Sequence, residues 1–268
     1  MNQPTMYDAV QVTPDVHVLP AYFPIPGLGI IPVNAFVLKA AEPVLVDTGM
    51  VPLSDEFMAR LSTVIDPSDL RWLWLTHCHM DHLGSLQRIL EAAPQLRLIT
   101  TFLGVGIMSL FQPLPLDRVY LLNPGQSISV GDRTLVCLQP PTFDSPETTG
   151  FYDSRDGALF CADSFGALMS EPAESAADVG SAKLREGLVK WATIDSPWLH
   201  FVDRVAFSHK LDAVRQLAPK LVLSSHLPIA TGMIEDVLEY LAAAPDAQPW
   251  VGPDQSALAA MLAGMKSG

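Results

Sequence analysis

Three of the chain's seven histidines and one carboxylate fall within the six positions His77-Cys78-His79-Met80-Asp81-His82. The run follows an apolar stretch, residues 70–75, that ends in Thr76 and reads as a buried strand, and it precedes a helical pattern over residues 82–93. Extended backbone sends alternate side chains to one side, so His77 and His79 face a common point. Cys78, between them, faces away as a packed thiol. Asp81 and His82 lie where the helix begins and turn toward a second point. Imidazole and carboxylate together suit zinc, iron, manganese and other divalent metals. The alternative, a polar turn with surface histidines, sits poorly with so dense a cluster.

The sequence around this run alternates between two periods. Residues 9–12, 16–19, 33–39 and 44–46 read as a strand meander, with turns at 24–29 and 40–43. From Ser54, placed as an N-cap, Phe57, Leu61, Val64 and Ile65 share a helical face. Beyond the cluster, residues 96–99 read as a strand and 101–111 as a helix. Strands return at 119–122, 127–130, 134–138 and 158–161. Residues 170–182 are small, acidic and aperiodic, so they read as a loop. Helices follow at 184–193 and 201–217, a strand at 221–224, and two short helices after it. This order suits an α/β chain of two sheets between helical layers in one domain, residues 1–268. Within it, 167–200 reads as an insertion covering the site and 229–268 as C-terminal helices.

The run from His77 to His82 matches the H-x-H-x-D-H signature of the metallo-β-lactamase superfamily, and the resemblance extends beyond it. Val44-Leu45-Val46-Asp47-Thr48-Gly49 resembles that family's strand ending in Asp-Thr-Gly, whose aspartate supports the metal loop without ligating. Leu159-Phe160-Cys161-Ala162-Asp163-Ser164-Phe165-Gly166 resembles the strand whose aspartate bridges two metals. Val222-Leu223-Ser224-Ser225-His226-Leu227-Pro228 resembles the strand carrying the last histidine ligand. The resemblance implies the αβ/βα four-layer sandwich of two mixed sheets flanked by helices. No histidine occurs between Leu83 and Leu199, where the family supplies one more. Instead, Phe143-Asp144-Ser145-Pro146-Glu147-Thr148 is similar to the His-Ser-Pro-Glu segment of the flavodiiron and oxygen-binding di-iron branch, with Asp144 at the histidine position.

By this resemblance His77, His79 and Asp144 hold one metal, Asp81, His82 and His226 hold a second, and Asp163 bridges them. Each of the outlying residues has an ordinary reading as well: Asp144 as the head of an Asp-Ser-Pro turn, Asp163 as a strand-end turn, His226 as a core histidine. His17, His200 and His209 match no motif and read as surface or hydrogen-bonded core. Trp191, Trp198 and Phe201 read as helix packing.

One or two divalent ions, zinc first and iron or manganese after it, would activate water against an ester, thioester, lactone, amide or phosphoester, with Asp81 orienting the hydroxide or taking its proton. That hydrolase is the first expectation, because the di-iron branch generally has glutamate where this chain has His79. A di-iron oxygen- or nitric-oxide-binding protein served by an external electron donor is the second, and a non-catalytic sensing module the third.

Composition narrows the partners. With 16 Lys and Arg against 29 Asp and Glu, the chain has a net charge of -13, which disfavours nucleic acid. No basic, apolar leader opens the sequence, and no apolar run reaches the roughly 20 residues a bilayer needs. Three widely spaced cysteines suit reduced thiols in a cytoplasm. A small-molecule substrate and a homodimer complete the expectations.

Overall fold

The computed structural model describes residues 3–266. Its first sheet is built from β1 (Thr5–Met6), β2 (Val10–Gln11), β3 (Val16–Ile25), β4 (Gly29–Leu38), β5 (Val44–Val46), β6 (Trp72–Trp74), β7 (Arg97–Thr100) and β8 (Val119–Leu121). The strand order is β1-β3-β4-β5-β6-β7-β8, with β2 also paired to β3. Pairing is antiparallel up to β5 and parallel from β5 to β8. The second sheet holds β9 (Ser127–Ser129), β10 (Thr134–Leu138), β11 (Gly150–Asp153), β12 (Ala158–Phe160), β13 (Leu221–Leu223) and β14 (Ala230–Thr231). It runs β14-β13-β12-β11-β10-β9, with only β12 and β13 parallel. The helices are α1 (Ser54–Val64), α2 (Leu86–Ala92), α3 (Phe102–Met108), α4 (Ser181–Asp195), α5 (Arg204–Gln216), α6 (Ile234–Ala242) and α7 (Gln255–Lys266).

The continuous apolar runs follow from burial on both faces of each sheet. Trp72 and Trp74 of β6 enter the core between the sheets with Val44, Val46, Phe151 and Phe160, while Leu73 and Leu45 point the other way, against Phe57, Leu61 and Ile89 of α1 and α2. In the second sheet Leu221 and Leu223 enter the central core, and Val222 and Leu159 pack on Leu184, Leu188, Phe207, Leu211 and Leu238 of α4, α5 and α6. Three apolar layers therefore separate four structural ones. This is the four-layer metallo-β-lactamase arrangement that the motifs imply.

The meander is longer than the prolines suggest. β3 and β4 pair continuously over ten residues, from Val16 opposite Leu38 to Ile25 opposite Gly29, and the expected turn narrows to residues 26–28 between them. The amides of Ile30 and Asn34 point away from β3, to the carbonyls of Met169 and Ser225. With a period of two, the missing N–H of Pro32 falls on that same outward side and breaks no rung of the ladder. Two other expectations change at their ends. Ser54 is the first residue of α1 and not its cap, since Leu53 precedes the helix without a side-chain cap. The helix expected from residue 82 begins at Leu86, because residues 82–85 are tied instead to the loop after β5.

Candidate metal centre

Four chain segments end at one rim of the sandwich: the loops after β5, β6, β12 and β13. A fifth, residues 141–149, leads into β11. All seven expected donors come together there. His77 Nε2 lies 3.2 Å from Asp163 Oδ2 and 3.7 Å from Asp144 Oδ1, and His79 Nδ1 lies 2.9 Å from Asp144 Oδ2. On the other side His82 Nε2 is 3.3 Å from Asp163 Oδ1 and 3.4 Å from Asp81 Oδ2, while His226 Nε2 is 3.4 Å and 3.5 Å from the same two oxygens. The two oxygens of Asp163 thus face two different clusters, His77-His79-Asp144 and Asp81-His82-His226. Within each, one ligand atom per residue lies within 4.8 Å of the others.

Backbone and hydroxyl groups set the direction of these rings. Pro32 O is 2.7 Å from His226 Nδ1, and a carbonyl only accepts, so Nδ1 carries the proton and Nε2 presents its lone pair inward. Asp47 Oδ2 stands 2.8 Å from His82 Nδ1, with the same consequence. The Asp47 carboxylate also accepts from the Thr76 amide and hydroxyl, both at 2.8 Å, and the Thr76 oxygen lies 3.1 Å from His77 Nδ1. Thr48 seals the loop by donating its amide and hydroxyl to the His82 carbonyl. Cys78 turns away, as the alternation requires: its sulfur packs near the Gly104 carbonyl while its amide donates to Glu147 Oε1 at 3.1 Å. Glu147 accepts a second, short hydrogen bond from Ser145, so the segment bearing Asp144 is braced against the histidine loop.

The chain bends sharply where it delivers Asp163. Ala162 and Phe165 adopt φ of 49° and 67°, uncommon for residues with a Cβ, and such strain gathers at functional sites. A Cβ at Gly166 would stand 2.6 Å from the Trp191 indole and 2.7 Å from the His226 Cβ, so only glycine fits there.

Electrostatics follow from the alternation of imidazole and carboxylate. Burial disfavours a charged His226, but Asp163 and Asp81 outweigh it and push the imidazole up to about 9. His82 is likewise held well above its ordinary value against burial by Asp81, Asp163 and Asp47, and His79 is raised chiefly by its hydrogen bond to Asp144. Asp163 lies well below the carboxylate range: burial opposes this, and His77, His226 and His82 together prevail. His77 Nε2, His82 Nε2 and Asp163 Oδ1 are buried without a hydrogen-bond partner. Nitrogen and oxygen donors left in that condition fit a divalent cation, which would satisfy all three at once.

Three neighbours escaped the sequence reading. Asp195, the last residue of α4, brings its carboxylate within 4.8 Å of those of Asp144 and Asp163. Burial first, then the charges of Asp163 and Asp144, push it up to about 8. A carboxylate at a helix C-terminus opposes the helix dipole, and that was its one sequence signal. Trp191, expected as packing alone, places its indole 5.2 Å from the His226 ring and helps to wall a cavity of about 340 Å³ with Phe23, Ile31, Met50 and Met80. Glu147 was visible only as part of the Ser-Pro-Glu segment. His17, His200 and His209 join no such cluster among the described residues.

Fold and centre together define a metallo-β-lactamase-type domain whose clustered imidazoles and carboxylates suit divalent metal. The sequence profile described as "ODP family beta lactamase" matches residues 31–226, and the chain belongs to that family. It is 27% identical to a flavo-diiron protein, FprA2, of Clostridium acetobutylicum, over 74% of this chain and 49% of that one. It is 24% identical to a nitric oxide reductase of Moorella thermoacetica, over 72% and 48%. Among solved structures, rubredoxin oxygen:oxidoreductase from Desulfovibrio gigas superposes with a TM-score of 0.76 at 19% identity, covering 88% of this chain and 61% of that one. The chain thus spans about half the length of the curated relatives it matches. These relatives are di-iron and nitric-oxide-reducing proteins, which overturns the expected hydrolase. One ligand, His79, on which the hydrolase expectation was argued, does not decide the chemistry.

Proposed function

We propose that this chain is a non-haem di-iron protein that binds and reduces a small oxidant, dioxygen or nitric oxide, with electrons from a separate donor. The observation that carries the reading is the composition of the two clusters. Each joins two histidines to one carboxylate, a set characteristic of non-haem iron, and Asp163 offers one oxygen to each. Among the described residues no cysteine joins a group that could hold a metal, so no soft sulfur ligand favours another ion. Iron therefore replaces zinc as the first expectation, in line with the names of the relatives. Bound there, a pair of irons supplies reversible one-electron chemistry at two adjacent points.

The chain's own groups then have defined tasks. His77, His79 and Asp144 hold the first ion; Asp81, His82 and His226 hold the second; Asp163 spans both. Pro32 and Asp47 keep the Nε2 atoms of His226 and His82 directed inward. The apolar cavity of about 340 Å³ opens beside Asp81 and His226, and its walls admit an uncharged diatomic molecule more readily than a charged substrate. Residues 167–200 form one cover of the centre through Trp191, and the chain reads as a single domain whose part after β14 is carried by α6 and α7. Among the described residues no helix is long and apolar enough to cross a membrane.

The test is anaerobic loading with ferrous iron, followed by elemental analysis and stopped-flow mixing with dioxygen or nitric oxide. About two irons per chain and rapid oxidation of the reduced protein support the reading. Iron-loaded protein that neither gas oxidises or alters spectroscopically would rule it out.

A further inference from the structure

Asp144 reaches less far from its backbone than an imidazole would, which leaves the first cluster with room for another donor. We propose that Asp195 fills it, as a further protein ligand of the first metal ion beside His77, His79 and Asp144. The inference rests on the dinuclear reading above and assigns α4 a part in the centre.

The geometry is specific. Oxygens of Asp195, Asp144 and Asp163 lie within 4.8 Å of one another, at the side of the centre where the His77 Nε2 is buried and unpartnered. Three carboxylates gathered this closely repel unless a cation lies among them. Among the described residues no Lys or Arg pairs with Asp195; its recorded hydrogen bond comes from the Ser196 hydroxyl at 3.2 Å. The position adds a second electrostatic penalty, because the carbonyl end of α4 disfavours a negative charge. A divalent ion offsets both. Residue Asp195 is also held firmly, since α4 packs through Leu184 and Leu188 on the second sheet and through Gly187 on the Leu168 carbonyl.

The experiment compares the wild type, Asp195→Asn and Asp195→Leu, each stripped of metal and titrated anaerobically with ferrous iron against a competing chelator. Wild-type protein should take up about two ions per chain. Both variants should hold the second ion unchanged and bind the first about 10- to 100-fold more weakly. Their metal-free melting temperatures should equal or exceed the wild type's, because a repelling carboxylate has gone; either variant serves if the other folds poorly. In the His226→Ala background, where the first site remains, adding Asp195→Asn should abolish tight binding. Two ions bound with undiminished affinity in the variants overturn the assignment and leave the dinuclear reading intact. A lowered metal-free melting temperature in both variants with an unchanged iron-induced shift makes Asp195 structural and also overturns it. Fewer than two ions in the wild type would instead remove the dinuclear reading, and this ligand with it.

Discussion

Each buried histidine of the centre is aimed by the nitrogen it does not offer. His226 is tied to Pro32, His82 to Asp47, and His77 through Thr76 to the same Asp47. One aspartate that is not itself a ligand therefore orients two histidines, one from each cluster. Replacing Asp47 with Asn keeps its shape and removes the charge and one acceptor. Affinity for metal should fall about 10- to 100-fold with the fold retained, as isothermal titration and circular dichroism would show. The pH response of the metal-free protein has a definite sign. Between an unfolded value near 6.5 and about 9, folded His226 binds a proton that the unfolded chain has released. Asp195, held up to about 8, does the same from the ordinary carboxylate range upward. Stability of the metal-free protein should therefore fall as pH rises from about 6.5 to about 9. Metal displaces those protons, so the loaded protein should lack this decline. Melting curves across that range, with and without chelator, check both statements.

At the scale of elements, short strands act as rods and the turns after them as the working parts. The parallel pairs β5-β6 and β12-β13 bring Asp47, the His77–His82 loop, Asp163 and His226 to one rim. Their close approach depends on small residues. Gly166→Ala would press a methyl group into the Trp191 indole and the His226 Cβ. It should destabilise the protein by about 1–3 kcal/mol and weaken the second metal site before the first, by denaturant unfolding and iron titration. Motif order made the ligand turns legible, since a histidine or aspartate closing an apolar strand is a local pattern. β11 was missed because its four residues begin with glycine and carry no alternation, although it lies at the centre of the second sheet. The full length of β3 and β4 was missed because proline reads as a break unless the outward direction of its amide is known. Asp195 was missed for a related reason: its role depends on where the end of α4 falls in space.

At the scale of the molecule, the two sheets are joined by charge as well as by the apolar core. The buried Arg133 guanidinium reaches Asp153 at 2.9 Å and Asp156 at 3.0 Å, and makes a short pair with Asp15, which precedes β3 of the other sheet. Arg133→Met should leave the buried Asp153 uncompensated and cost about 3–5 kcal/mol, while iron stoichiometry stays unchanged, because the network lies outside the metal clusters. Chelation should act the other way. It should lower the melting temperature with the logarithm of the free metal concentration and leave the fold intact, a comparison differential scanning calorimetry can make. The dense cluster from His77 to His82, the strand-end aspartates and the paired apolar runs were local properties of the chain, and from them came the fold class and the seven converging donors. The place of Trp191 beside His226 and the approach of Asp195 emerged only when distant segments met. Ligand type is written residue by residue, but distance and burial are properties of the packed sandwich alone.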